Sequence, residues 1–461
     1  MSISLIGVNG SAIATDANPI PVKLTTAAEN HVTFSPEDVM TDSFSRLRVS
    51  EPRVAFEYTF GAMTPTLATT IWESTAYGAG TEALTTNLYG TTLTTTVATA
   101  TGRWLQSYNH VRYAPGISTM FRGTFNLINP VAANLRQRIG MFTDQGTFPS
   151  TAGDGVFFEN DSGVYSFVRR YMTQGATGTE ERVNRSSWNV DKLDGTGTSG
   201  ITLDFTKAQH IVIEFQWLGV GTIRFGFETS AGLVWAHKMV SANSLAESWS
   251  RTGSLPVRAE CYNYGASTIN NMTLINTCVI QEGDVADLRG WKYFGATSGA
   301  TAKVGGTAAG LFPVLGIKAA TTNDLTKRAR IVPHMVTIVV AVVGTGTTSL
   351  QCALLMNGTP ATGATFAVTT AGSTAVIDNA ATATTAITGT AIWNAVIPNV
   401  VGSYTFDLST LNDNMNVIGY NAAGASAITG PANLYLAVGT LTGTTTVAAT
   451  VAASINWKEI V

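Results

Sequence analysis

Residues 188–238 read as a polar, Gly-rich loop that feeds a run of strands in which apolar and polar positions alternate. No other feature limits the possible folds so strongly. Ile211, Ile213, Phe215 and Trp217 fall on one side, with Val212, Glu214 and Gln216 between them. Leu218-Gly219-Val220-Gly221 turns the chain, and Ile223, Phe225 and Phe227 then repeat the pattern against Arg224 and Glu228. Ser230-Ala231-Gly232 leads to a third run, Leu233 to His237. A period of two marks strands with one buried face, and short glycine turns join such strands into an antiparallel meander. Burying each aromatic is worth roughly 1.5–3 kcal/mol before entropy is counted. The meander is therefore expected to form the core of the largest domain.

The pattern extends in both directions. Strands are expected at Val54–Phe60, Thr91–Thr99, Arg103–Tyr113, Ser118–Ile128, Arg136–Phe142, Gly155–Asn160, Val164–Tyr171, Gly200–Phe205, Val257–Tyr264 and Asn271–Gln281. No segment sustains a helical apolar stripe, and Ser241–Glu247 suggests a single helical turn at most. So many short strands predict an all-β chain with a central antiparallel β-sandwich, jelly-roll or concanavalin-like, over residues 51–287. From 288 to 461 a second, C-terminal β-sandwich is expected. Only eleven charged residues occur over 295–461, and the Thr/Ala/Gly-rich tracts at 344–349 and 439–450 read as strand edges. A bare edge of that kind aggregates unless covered, which suits packing between identical chains. Residues 1–50, interrupted by Pro19, Pro21 and Pro36, read as an extended docking arm with one helical turn at 35–38.

Charged residues make up only 12% of the 461, about half the usual share. A surface so poor in charge suits a chain permanently assembled with its own copies. The net charge of −3 supplies no drive toward nucleic acid or an anionic membrane. The longest apolar run, Val336 to Val343, falls far short of the ~20 residues that span a bilayer and reads as a buried strand. The opening MSISLIGVNG lacks a basic stretch followed by an apolar one, so folding in a cytoplasm is expected. Cys261, Cys278 and Cys352 show no metal or disulfide spacing and read as buried free thiols.

Motifs for chemistry are weak. Gly195 to Gly200 matches G-x-G-x-x-G, but no strand precedes it and no helix follows, so it is not a dinucleotide loop. Asp191, Asp194 and Asp204 are candidate calcium ligands, with turn formation the simpler reading. His31, His110, His210, His237 and His334 form no cluster. Glu159, Glu214 and Glu228 are candidate paired carboxylates for glycan cleavage, a chemistry that needs them across one cleft. Trp104, Tyr108, Tyr113, Trp188, Trp217, Trp235 and Trp249 could stack on sugars, with core packing as the default. No catalytic, cofactor or metal residue is assigned.

Three stretches carry a resemblance. Asp42-Ser43-Phe44-Ser45-Arg46-Leu47-Arg48-Val49-Ser50 resembles a D-x-F-G-R-L-R-V-S signature near the N-termini of tailed-phage virion proteins, with Ser45 where Gly is usual. Trp188 to Asp204, followed by Trp217 to Gly221, is similar to the same group, as is Leu255-Pro256-Val257-Arg258. The resemblance spans about residues 42–285; the remainder resembles nothing named. It implies a non-enzymatic virion structural protein, assembled in the host cytoplasm as a fibre, spike or collar-type appendage. The partners expected are itself, as a homo-oligomer and most simply a trimer, and other virion proteins. A lectin-like grip on host surface glycan is the alternative, and a glycan-cleaving tailspike the third reading. Phe44, Arg46, Leu47, Arg48 and Val49 are the expected docking residues; a linker strand at the domain entry is the simpler reading of the same segment.

Overall fold

The computed structural model describes residues 23–24, 32–33, 41–43, 46–62, 71–85, 89–144, 152–172, 178–265, 269, 271–283, 291–297, 303–304, 310–319, 330–343, 349–359, 366, 368–369, 373, 375–379, 386–408, 433–440 and 449–460. The expected helical turn at 35–38, Phe44 and most of the Thr/Ala/Gly-rich tracts lie outside these residues.

Two short strands, β1 (Lys23–Leu24) and β2 (Val32–Thr33), pair in the arm. The central region holds β3 (Pro52–Thr59), β4 (Trp72–Tyr77), β5 (Thr81–Thr85), β6 (Gly90–Thr94), β7 (Thr101–Val111), β8 (Thr119–Ile128), β9 (Leu135–Phe142) and β10 (Gly155–Asp161). It continues with β11 (Val164–Tyr171), β12 (Thr179–Asn184), β13 (Gln209–Phe215), β14 (Ile223–Thr229), β15 (Gly232–Met239), β16 (Leu255–Asn263) and β17 (Asn271–Glu282). The only helical segment among the described residues is the 3-10 turn Arg185–Ser187.

These strands form two antiparallel sheets. Sheet A has seven strands in the order β12-β11-β10-β9-β16-β7-β4, and sheet B has eight in the order β15-β14-β13-β8-β17-β6-β5, with β3 also on β17. They face each other across one aromatic core that includes Phe125, Phe158, Phe167, Phe225, Phe227 and Trp249. Phe167 stacks on Trp188 at 4.3 Å and on Phe225 at 4.5 Å between centroids. The meander is β13-β14-β15, with Ile211, Ile213 and Phe215 in the core and Trp217 packed against it. Gly232 closes the β14–β15 turn at φ +88°, a conformation that glycine adopts without a Cβ penalty.

Gly200–Phe205 is not the expected strand. It is a loop, tied by a single bridge between Asp194 and Thr202. Asp191 accepts the Leu193 and Ser199 amides, both at 2.8 Å, and Asp194 and Asp204 accept the Thr196 and Thr206 amides at 3.0 Å. These Asp turns bracket the segment, and inside it the Ile201 amide goes to the Ser199 hydroxyl at 3.2 Å and the Leu203 amide to the Leu193 carbonyl at 2.9 Å. Ser241–Glu247 contributes turns only, with the Leu245 amide on the Ser241 carbonyl at 3.0 Å.

The C-terminal region holds β18 (Trp291–Ala296), β19 (Lys303–Val304), β20 (Leu311–Ala319), β21 (Arg330–Val342), β22 (Ser349–Thr359), β23 (Val368–Thr369), β24 (Ala375–Asp378), β25 (Thr388–Pro398), β26 (Gly402–Asp407), β27 (Leu434–Thr440) and β28 (Ala449–Ile460). Sheet C runs β18-β28-β21-β26, with β19 on β28, and sheet D runs β23-β24-β20-β27-β22-β25. They enclose a second core, mainly aliphatic, that includes Ile338, Leu354, Leu436, Ile455 and Trp457. Tyr108 of β7 packs against this second core. The apolar run in β21 is half-buried, not buried as expected: Val336, Ile338 and Val340 point inward while Val339 and Val342 are exposed. An antiparallel sheet covers only one face of such a strand.

Candidate functional site

The expected docking segment lies on the outward face of sheet B. Glu214, on β13, points away from the core and is fully buried there. It accepts Arg48 Nη2 at 2.8 Å, the Ser43 amide at 3.1 Å and the Ser118 hydroxyl at 2.7 Å, and it also pairs with Arg224. Arg48 reaches Glu282 at the end of β17 as well. Arg224 donates to the Thr41 carbonyl at 2.6 Å and stacks 4.5 Å over Trp235. Arg46 folds back onto Asp42, its amide and Nε each donating at 2.8 Å. The segment is thereby a strap tied to its own sandwich. Leu47 is 41% exposed and Val49 82%.

Sheet A carries a denser array on its outward face. Strand register lines up Arg182, Val168, Phe157, Gly140, Arg258, Gln106 and Glu73 in one row. The next row is Asn184, Ser166, Glu159, Arg138, Glu260, Trp104 and Thr75. Arg138 donates to Glu159 at 2.7 Å and to Glu260 and Glu180 at 3.4 Å. Arg258 donates to Glu260 at 2.6 Å, Gln106 at 2.9 Å and Asp144 at 3.3 Å, and lies 4.3 Å over Trp104. Arg170 bonds Glu180 at 2.7 Å and Arg182 bonds Glu159 at 2.6 Å. Arg138, Arg170, Arg258, Glu159 and Glu260 are buried, so each charge depends on its partners.

The electrostatics follow the pairing. Burial pushes Glu159 up, but the guanidiniums of Arg138, Arg182 and Arg136 outweigh it and hold the carboxyl down at about 2. Glu73 has no such set of partners: burial raises it to about 8, opposed only by Arg258, and its Oε2 has no hydrogen bond. Glu73 in turn helps burial lift Tyr108 to about 12. Asp144 is raised by burial, with Arg258 opposing.

The other candidates separate. Glu159 lies on sheet A, whereas Glu214 and Glu228 lie on sheet B, so no cleft brings the three together. Asp191, Asp194 and Asp204 serve turns, and among the described residues no acid, His or Cys cluster has the makings of a metal site. His210 faces outward beside Glu228, while His237 packs on Phe225 inside and accepts the Asn189 amide at 3.2 Å; burial lowers it to about 4. Trp188 and Trp249 belong to the core, Trp217 and Tyr113 pack edge to face, and Trp104 and Trp235 lie under arginines. Cys261 and Cys352 are buried free thiols and Cys278 is half-buried. The Arg–Glu array went unread in the sequence. Its signal is the alternation of charge within otherwise apolar strands, Arg136 and Arg138 in β9 and Arg258 and Glu260 in β16.

The class defined by these features is an all-β protein built from a central jelly-roll, concanavalin-like sandwich and a second C-terminal sandwich. No protein-family model matches the sequence, and no curated protein matches it. Solved structures similar in arrangement include an endo-β-1,4-glucuronan lyase from the fungus Trichoderma reesei, 11% identical over 51% of this chain and 98% of that one, TM-score 0.35. Peanut lectin is similar at 9% identity, over 51% of this chain and all of that one, TM-score 0.30. A Bacillus licheniformis β-glucanase is similar at 14% identity, over 50% and 98%, TM-score 0.28. Superpositions this loose carry no functional argument.

Proposed function

We propose that the chain is a non-catalytic structural protein of a tailed-phage particle, a fibre, spike or collar-type appendage that completes its burial against copies of itself. One observation carries this reading: the outward face of sheet C. Register sets Ala296, Ser454, Thr337 and Thr405 in one row across β18, β28, β21 and β26, and Ala452, Val339 and Ser403 in the next. Every side chain in these two rows is small or β-branched, and the charges of the face, Asp407, Lys292 and Lys458, lie in the rows beyond. Phe294, on the same face, is 67% exposed and Val339 37%. A flat face of that composition is poorly defended against pairing, and a second copy is the occupant that matches it. The strap at 41–48 supports the same reading, since the motif carrying the virion resemblance serves to fix the sandwich. Antibodies raised against the purified chain test the location. Labelling at a fixed position on intact particles in electron micrographs supports the proposal; the chain found only free in the lysate contradicts it.

A further inference from the structure

A groove of about 670 Å³ opens at one end of the central sandwich, between the β8–β9 turn, the start of β11 and the loop at 203–206. That volume lies within the range of about 300–1,000 Å³ usual for small-molecule sites. Its lining includes Asn126, Asn129, Tyr165, Arg185, Asp204 and Phe205. None of these but Asp204 stood out in the sequence.

The floor is aromatic and fixed. Tyr165 stacks on the buried Phe205 with centroids 3.9 Å apart and planes 23° from parallel. Arg185 lies 5.5 Å over the Phe205 ring. Its Nε donates to the Lys192 carbonyl at 2.9 Å and its Nη2 to the Leu193 carbonyl, so this cation is committed to backbone. Asp204 is exposed, and Lys207 stands 3.7 Å from its Oδ2. The Asn129 side-chain amide and the Tyr165 hydroxyl make no hydrogen bond among the described residues, while Asn126, between the core residues Phe125 and Leu127, lies on the outer side of β8 at the rim.

We infer that this groove binds a neutral saccharide of one or two rings. A planar amide presents a donor and an acceptor side by side, which matches a pair of vicinal hydroxyls. The open part of Tyr165 offers an apolar surface to the C–H face of a sugar ring, and its hydroxyl a further polar contact. An anionic sugar would meet Asp204 while the nearest guanidinium is already occupied, and a cationic one would meet Lys207. The site is independent of the structural role proposed above and stands or falls without it.

Saturation-transfer difference NMR on the full chain tests the assignment. The probes are methyl glycosides of glucose, galactose, mannose and N-acetylglucosamine, with lactose and maltose. Glucuronate and N-acetyl-triglycine serve as anionic and peptide controls. At least one neutral saccharide is expected to bind at about 10 mM or below, within the weak range of specific affinity. Tyr165→Phe and Asp204→Asn are each expected to weaken it about tenfold with the melting temperature unchanged. Failure of every neutral probe, binding that survives both substitutions, or preference for glucuronate or the peptide overturns the inference.

Discussion

Glu73 and Arg138 lie on the same sheet face and set opposite limits to its stability. Arg138 neutralises Glu159 and Glu260 inside the fold. Arg138→Met leaves both carboxylates short of a partner, and loss of one member of a buried ion set costs about 3–5 kcal/mol. Urea unfolding of the purified variant is expected to show that loss. For Glu73 the sign runs the other way. Its folded carboxyl titrates near 8 against 4.5 when unfolded, so the folded state holds a proton the unfolded chain has released. Its contribution is full below pH 4.5 and is lost as pH rises through 8. Glu159, held near 2, contributes above pH 4.5 and loses that contribution as pH falls toward 2. Glu73→Gln is therefore expected to melt higher than the parent at pH 9 and at about the same temperature at pH 5. Equal melting temperatures at pH 9 would show that the Glu73 carboxylate is solvated in the folded state.

At the level of elements, the strap makes a separate prediction. Arg48→Ala removes one of the donors to the buried Glu214 and one to Glu282, at a cost of about 1–3 kcal/mol. Arg224 still holds Glu214, so the sandwich is expected to stay folded while residues 41–50 become a site of rapid limited proteolysis. An unchanged cleavage pattern would mean the strap is held by something other than this ion set. The same contrast explains what was legible in the sequence. Strands with one apolar face, such as Val164–Tyr171 and the β13–β15 meander, were readable because burial imposes a period of two. The edge strand β12 was not: it reads Thr-Glu-Glu-Arg-Val-Asn, and its polar side chains answer to Arg138, Arg170 and Arg169 across the sheet. Such a strand is defined by its partners, and partners are set by topology. The groove went unread for the same reason, since Asn126, Tyr165 and Asp204 lie on three separate segments that only the fold brings together. Gly200–Phe205 failed differently, because its apolar alternation is overridden by the Asp turns around it.

On the scale of the whole molecule, two cores of different character divide the labour. The central one is aromatic and flanked by ion pairs on both outward faces. The second is mainly aliphatic, and two rows on the outward face of its sheet C carry small, uncharged side chains, with Phe294 beside them and Lys292, Lys458 and Asp407 toward one end. Asymmetry of that kind is what the proposed assembly through the C-terminal half would use. Val339→Asp puts a charge into that face without touching the core, and is expected to shift the purified protein toward single chains and to lower its melting temperature by circular dichroism, since the uncovered face loses the burial its copies supply.

The central claim is that sister copies cover the second sandwich. Light scattering of the intact chain at submicromolar concentration measures this directly. The account predicts a mass of several chains, most simply three, that persists on dilution and falls in Val339→Asp. A stable mass of one chain across the same dilution series would contradict it.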